Sequence, residues 1–113
     1  MAILSRSAIL SADDFVFANV PCPEWGGDVR VRGLTAADQQ YIAKLNKEEK
    51  TDEMTLAVFI RGVVDENGDR IFDSKDRDEL RKRSFAVIDR CAQKIAELTG
   101  RSDPDGIEAA RKN

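Results

Sequence analysis

Residues 15–32 constrain this chain more than any other stretch, because they join two strand-forming runs through a segment that resists regular pairing. Phe15-Val16-Phe17-Ala18-Asn19-Val20 is aromatic and β-branched, the composition of a strand. Val29-Arg30-Val31-Arg32 alternates apolar and basic, as in a half-buried strand with Val29 and Val31 turned inward. Between them lies Pro21-Cys22-Pro23-Glu24-Trp25-Gly26-Gly27-Asp28. A two-residue turn at Gly26-Gly27 would make Trp25 and Asp28 the first hydrogen-bonded pair and repeat such pairs at Pro23 and Pro21, which have no N–H to give. The expectation is therefore a hairpin with a bulge, or with a longer loop and regular pairing outside Pro21.

The rest of the chain has helical punctuation. Residues 5–12 form a short helix capped by Ser5 or Ser7, broken at Asp13-Asp14. Thr35 caps a helix over about 36–47, with Ala37, Tyr41 and Leu45 on one face and Ile42 beside them. After the polar connection 47–52, a helix over about 53–64 carries Leu56, Phe59, Ile60 and Val63 and is expected to be the most buried; Gly62 in it either weakens the helix slightly or permits close packing. Asn67-Gly68 marks a tight turn with Val63-Val64 and Ile71-Phe72 as its arms. Ser74 caps a third helix, with acids first and Arg81-Lys82-Arg83 last, an order that suits the helix dipole. The chain bends or continues at Ser84. Then Phe85, Ile88, Cys91 or Ala92, Ile95 and Leu98 make an apolar stripe ending at Gly100, and a last short helix covers 104–111.

At 113 residues there is room for one domain, 1–113, with ends 1–4 and 108–113 frayed. The expected fold class is α+β, mainly α: an N-terminal β-hairpin followed by a small helical bundle. Its core is expected to hold Tyr41, Leu45, Leu56, Phe59, Ile60, Val63, Phe85, Ile88, Ile95 and Leu98.

The chemistry is bounded mainly by what is missing. The chain has no histidine, the usual general base near neutral pH and the commonest metal ligand, so Ser-His-Asp and Cys-His nucleophile systems and nearly all zinc sites are excluded. Asp65-Glu66-Asn67-Gly68-Asp69 resembles a calcium loop only superficially: counting from Asp65, the sixth position is Arg70 and the twelfth Asp76, where an EF-hand needs Gly and Glu. Gly26-Gly27 lacks a phosphate-loop pattern. Arg81-Lys82-Arg83, with Arg77, fits a solvated helix end better than a phosphate site. No cofactor or metal is expected. A net charge of −3 without a basic block argues against nucleic acid, and no apolar run suffices to span a membrane. Nor does the start have the basic and apolar regions of a signal peptide, so a cytosolic protein is expected, with Cys22 and Cys91 as free, buried thiols rather than a disulfide. What is left is protein binding. Trp25 is either a core residue or an interface anchor.

In order and content the chain resembles the tail assembly chaperone family of long-tailed, siphovirus-like bacteriophages. The segment Ser5-Arg6-Ser7-Ala8-Ile9-Leu10-Ser11-Ala12-Asp13-Asp14 is similar to the family's N-terminal segment. Val20-Pro21-Cys22-Pro23-Glu24-Trp25-Gly26-Gly27-Asp28-Val29-Arg30-Val31-Arg32-Gly33-Leu34-Thr35 is similar to its signature of PEWGG, then V-R-V-R, then L-T; Val63-Val64-Asp65-Glu66-Asn67-Gly68 resembles its mid-chain turn, and the C-terminal helix is similar too. Pro21-Cys22-Pro23 departs from it, since a single proline is expected there. The resemblance implies a non-enzymatic assembly factor of the host cytoplasm, absent from the virion. Such a factor coats the tape-measure protein, recruits tail tube protein through a longer frameshifted form, and builds rings or spirals; Arg111-Lys112-Asn113 is compatible with a slippery A-AAA-AAC codon run. Phe15, Phe17, Trp25, Val29 and Val31 are the expected self-association hairpin. The alternatives are another small phage morphogenesis or adaptor protein and, from a different class, a carboxylate-dependent enzyme or metal-binding module.

Overall fold

A computed structural model describes residues 3–47 and 51–100. The expected last helix at 104–111, the frayed end 108–113 and Arg111-Lys112-Asn113 lie outside them. The elements are α1 (Arg6–Leu10), β1 (Phe17–Cys22), β2 (Gly27–Arg32), α2 (Ala36–Lys47), α3 (Thr51–Gly62), β3 (Val63–Val64), α4 (Arg77–Leu80) and α5 (Phe85–Thr99). The fold is α+β and mainly α, as the sequence pattern predicts. None of the helices among the described residues is long and apolar enough to cross a membrane.

The hairpin resolves the proline problem by shifting register. Its loop is four residues long, a turn of 3-10 helix at Pro23–Trp25 followed by Gly26 at φ 84°, and Cys22 pairs with Gly27. Pro23 occupies the first position of that turn, where its missing N–H costs nothing. Val16 accepts a bond from the Gly33 amide at 3.1 Å, which fixes the even-numbered β1 residues as the hydrogen-bonded ones. Pro21, opposite Asp28, falls between them and turns its nitrogen toward the open edge of the sheet. Pairing therefore runs through Pro21 to Cys22 instead of stopping outside it, and no bulge is needed.

A third strand joins the hairpin. Val63 and Val64 pair antiparallel with Val31 and Arg30, giving the sheet order β1-β2-β3. The helix expected to reach residue 64 thus ends at Gly62, because its last two valines are recruited by β2. Val64 bridges to Arg70, not to the expected arm Ile71-Phe72. The turn between is held by Asp65, whose Oδ1 accepts from the Asn67 and Asp69 amides at 2.8 and 3.0 Å, with Gly68 at φ 86°. That carboxylate is committed to backbone, as in an Asx turn.

The main core lies where α3 and α5 cover one face of the sheet: Val20, Cys22 and Val31 meet Phe59, Ile60, Val63, Leu80, Val87, Ile88, Cys91, Ile95 and Leu98. A smaller cluster of Ile42, Leu45 and Ala57 joins α2 to α3, with half-buried Tyr41 against it. Leu56 is half-buried, and α5 rather than α3 carries the longest buried stripe. Phe85, expected in the core, is 67% exposed. The α5 stripe is centred on Ile88, Cys91, Ala92 and Ile95; at about 100° per residue Phe85 projects roughly a quarter turn away from it, and Val87 fills the inner position. The short helix expected from Ser74 is instead capped by Asp73, through a box with Asp76, and stops at Leu80 before the bend.

One buried polar residue organises the α2 end. Asp38 is 4% exposed. Its carboxylate accepts from the Thr35 amide at 3.0 Å and from Arg61 Nη1 at 2.7 Å, while the Thr35 hydroxyl accepts from the Asp38 amide. This is a reciprocal helix cap with an aspartate in the Glu/Gln position, tied to α3 by an ion pair. Asp38, not Ala37, therefore completes the inward face of α2 with Ile42 and Leu45. Burial alone would raise the Asp38 carboxyl, yet bonds from Thr35 and Arg61 outweigh it and hold the group below the ordinary 3.8. A depressed folded value means stabilisation that is present above the unfolded value and lost as pH falls through the folded one. In chemical denaturation, the stability gap between wild type and Asp38→Asn should be widest near neutral pH and close as pH falls below about 4. A gap independent of pH would refute this assignment.

Candidate protein-binding surface

The four-residue loop that relieves the prolines also sets Trp25 at the tip of the hairpin. The tip is fastened to α5 through Arg90, whose two guanidinium nitrogens donate to Glu24 at 2.9 and 2.6 Å and, from Nη1, to the Pro21 carbonyl at 3.1 Å. Arg90 holds the Glu24 carboxyl down to about 2, so the clamp is ionic over the whole physiological range. Trp25 is left 39% exposed, with its ring edge-on to the buried Phe59 at 6.1 Å and 85°. Phe59 in turn stacks on Phe72 at 5.7 Å and 30°. Trp25 is thus neither a core residue nor a free one: its support is buried and its outer surface meets water.

These three rings, with Leu80, floor an open cleft of about 560 Å³ rimmed by Asp76, Glu79 and Arg83. Leu80 and Arg83 also line a second hollow of about 150 Å³ with Leu56, Ile88 and the exposed Phe85, so the two lie side by side. Phe85, misassigned to the core by periodicity, is in this way part of the same exposed apolar surface. An apolar floor with a mixed-charge rim suits one face of an amphipathic segment. Among the described residues no group of three or more His, Cys, Asp or Glu is placed to hold a metal.

The five residues expected to act together do not share a surface. Val31 is fully buried and Val29 half-buried, both on the sheet face that meets the helices. Phe15 and Phe17 lie edge to face at 6.4 Å on the outer side. Arg32 sits over Phe15 at 4.4 Å and Arg30 over Phe17 at 4.6 Å. The Nε of each arginine is buried without a hydrogen-bond partner among the described residues, so the ring faces hold these cations. Only Trp25 belongs to the cleft. The sequence reading missed Phe72 and Leu80 as its neighbours; the one available signal was Leu80, a lone apolar residue in the charged stretch Asp78-Glu79-Leu80-Arg81-Lys82. A second apolar patch is formed by Ile3, Leu4, Ile9 and Leu10, all exposed, since α1 buries none of its residues. Ile9 and Leu10 face Val16, Leu34 and Leu98 across an open cleft of about 600 Å³.

No protein-family model matches this sequence, and a search of the curated proteins finds no significant match. Among solved structures, the chain is similar to the tail assembly chaperone of bacteriophage HK97, with a TM-score of 0.63 over 81% of this chain and 90% of that one, at 19% sequence identity. At that identity the likeness is one of fold, and this chain accordingly has the fold of a phage tail assembly chaperone.

Proposed function

We propose that this protein is a bacteriophage tail assembly chaperone: it binds the tape-measure protein in the host cytoplasm, keeps it soluble, and helps bring tail tube protein to it, without catalysing a reaction. The fold it shares with the HK97 chaperone carries this reading. Support comes from the exposed cleft around Trp25 and from the lack of any histidine. A tape-measure protein is a long, apolar, helical client, and a groove that takes one apolar helix face repeats its contact along such a chain, so modest single contacts add up by avidity. Self-association into rings or spirals through the Trp25 tip would string the clefts along the client. A longer frameshifted form would supply the contact with tail tube protein.

The test is co-expression with the tape-measure protein of the same phage. The client should be insoluble alone and soluble and co-purifying with this protein; a client that stays insoluble with the chaperone in excess refutes the proposal. Trp25→Ala should lower recovery of the complex by about tenfold, as a hot-spot loss does, and shift light scattering toward monomer with the fold retained. Unchanged recovery and unchanged oligomers would remove the Trp25 cleft from the mechanism.

A further inference from the structure

Cys22 closes β1 and Cys91 lies midway along α5, 69 residues apart, yet their Sγ atoms stand 3.7 Å from each other in the core. Both residues are fully buried and both are free thiols. They are held together by flanking contacts: Val20 and Ile88 pack in the same cluster, and Arg90, next to Cys91, bonds the Pro21 carbonyl next to Cys22. Neither sulfur is used by the binding surface, and neither faces a metal-binding group among the described residues.

We propose that Cys22 and Cys91 are a closable dithiol, a site at which a two-electron oxidant installs an intrachain disulfide that locks the Trp25 hairpin to α5. Closure needs the sulfurs to approach by roughly 1.7 Å, a displacement within reach of side-chain rotation in a core that already juxtaposes them. With the azo dicarboxamide diamide, one thiolate adds to a nitrogen of the N=N bond and the other nitrogen takes up a proton. The second thiolate then attacks the derivatised sulfur, the S–S bond forms, the S–N bond breaks, and the departing nitrogen takes the second proton. The two thiols give up two protons and two electrons, and the azo compound leaves as a hydrazine. Burial sets the pace. It pushes the Cys91 thiol up to about 12, helped by the contact with Cys22, and keeps reagent out, so reaction follows transient opening and takes minutes to hours. The same burial protects the bond once formed. The covalent loop spans most of the described chain, so the oxidised protein is the more heat-stable form.

The folded protein, without denaturant, is incubated with diamide for a day and analysed by intact mass, thiol titration and non-reducing electrophoresis. The expected product is a monomer about 2 Da lighter, with no titratable thiol and a melting temperature raised by about 10 °C, reversed by dithiothreitol. Cys91→Ala should give no such monomeric product. Two thiols still titrating after the incubation, or oxidation only to disulfide-linked dimers or stable diamide adducts, would overturn the proposal.

Discussion

Phe59→Ala is expected to destabilise the protein by about 3–5 kcal/mol and to lower its melting temperature by roughly 15 °C. Phe59 is 1% exposed and stands at the point where α3, the sheet and the Trp25 loop meet. Truncation removes a buried aromatic ring and leaves a cavity that the rigid surroundings cannot fill. It also takes away the edge-on support of Trp25 and the stacked face of Phe72. Trp25 is the only tryptophan, so its fluorescence reports on that support directly. Urea unfolding followed by circular dichroism gives the stability loss, and the native emission spectrum should shift to the red. Phe59→Leu should keep more than half of the stability, because it restores apolar volume, while still altering the emission. A loss under 1 kcal/mol for Phe59→Ala would mean that the cleft does not rest on the core as described.

Gly62→Ala is the second. Helix propensity alone predicts a gain of up to about 1 kcal/mol, since Gly62 is the last residue of α3. Packing predicts the reverse. A Cβ there would lie 2.4 Å from Cδ1 and 2.6 Å from both Cγ1 and Cγ2 of Ile95, which is itself fully buried on α5. The two γ-carbons are fixed close to the helix backbone, so rotating one side chain cannot relieve all three contacts. Overpacking should win by a net loss of about 1–3 kcal/mol. Ile95→Ala removes all three clashing atoms, at the expense of a cavity. The Gly62→Ala/Ile95→Ala double variant should therefore be more stable than the sum of the two losses, by about 1–3 kcal/mol in a double-mutant cycle. Additive losses would show that α3 and α5 are not in contact at this glycine. Of the two readings the sequence left open for Gly62, close approach is the one the geometry selects.

Local chemistry was legible where it acts within a few residues. Apolar spacing and end signals gave α2 to the residue and the end of α5 at Gly100, because a helix buries whatever recurs on one side of it, while the bend that starts α5 after Ser84 was left open. Prolines 21 and 23 ruled out a two-residue turn, and the four-residue loop follows that objection, since an amide that does not exist cannot join a ladder. The candidate site was only half legible. Trp25 beside the Gly-Gly pair left core residue and interface anchor both open, and its partners Phe72, Leu80 and Phe85 lie about 47 to 60 positions further along the chain, with no common pattern in one dimension. Phe85 fitted the helical stripe loosely enough to be counted inside it, while its actual projection puts it at the rim.

The sequence by itself thus determined most of the element types, the polar turns, the hairpin's objection to a tight register and the absence of any histidine-based site. Tertiary structure alone decided that Val63-Val64 leaves its helix for β2, that Asp38 is buried against Arg61, that Cys22 reaches Cys91, and that Trp25 stands on Phe59. The reason is the range of the forces involved. Propensity, capping and periodicity are set by neighbours a few positions away, whereas each of these pairings joins residues more than 20 positions apart and forms only when burial of the shared apolar core brings their elements together.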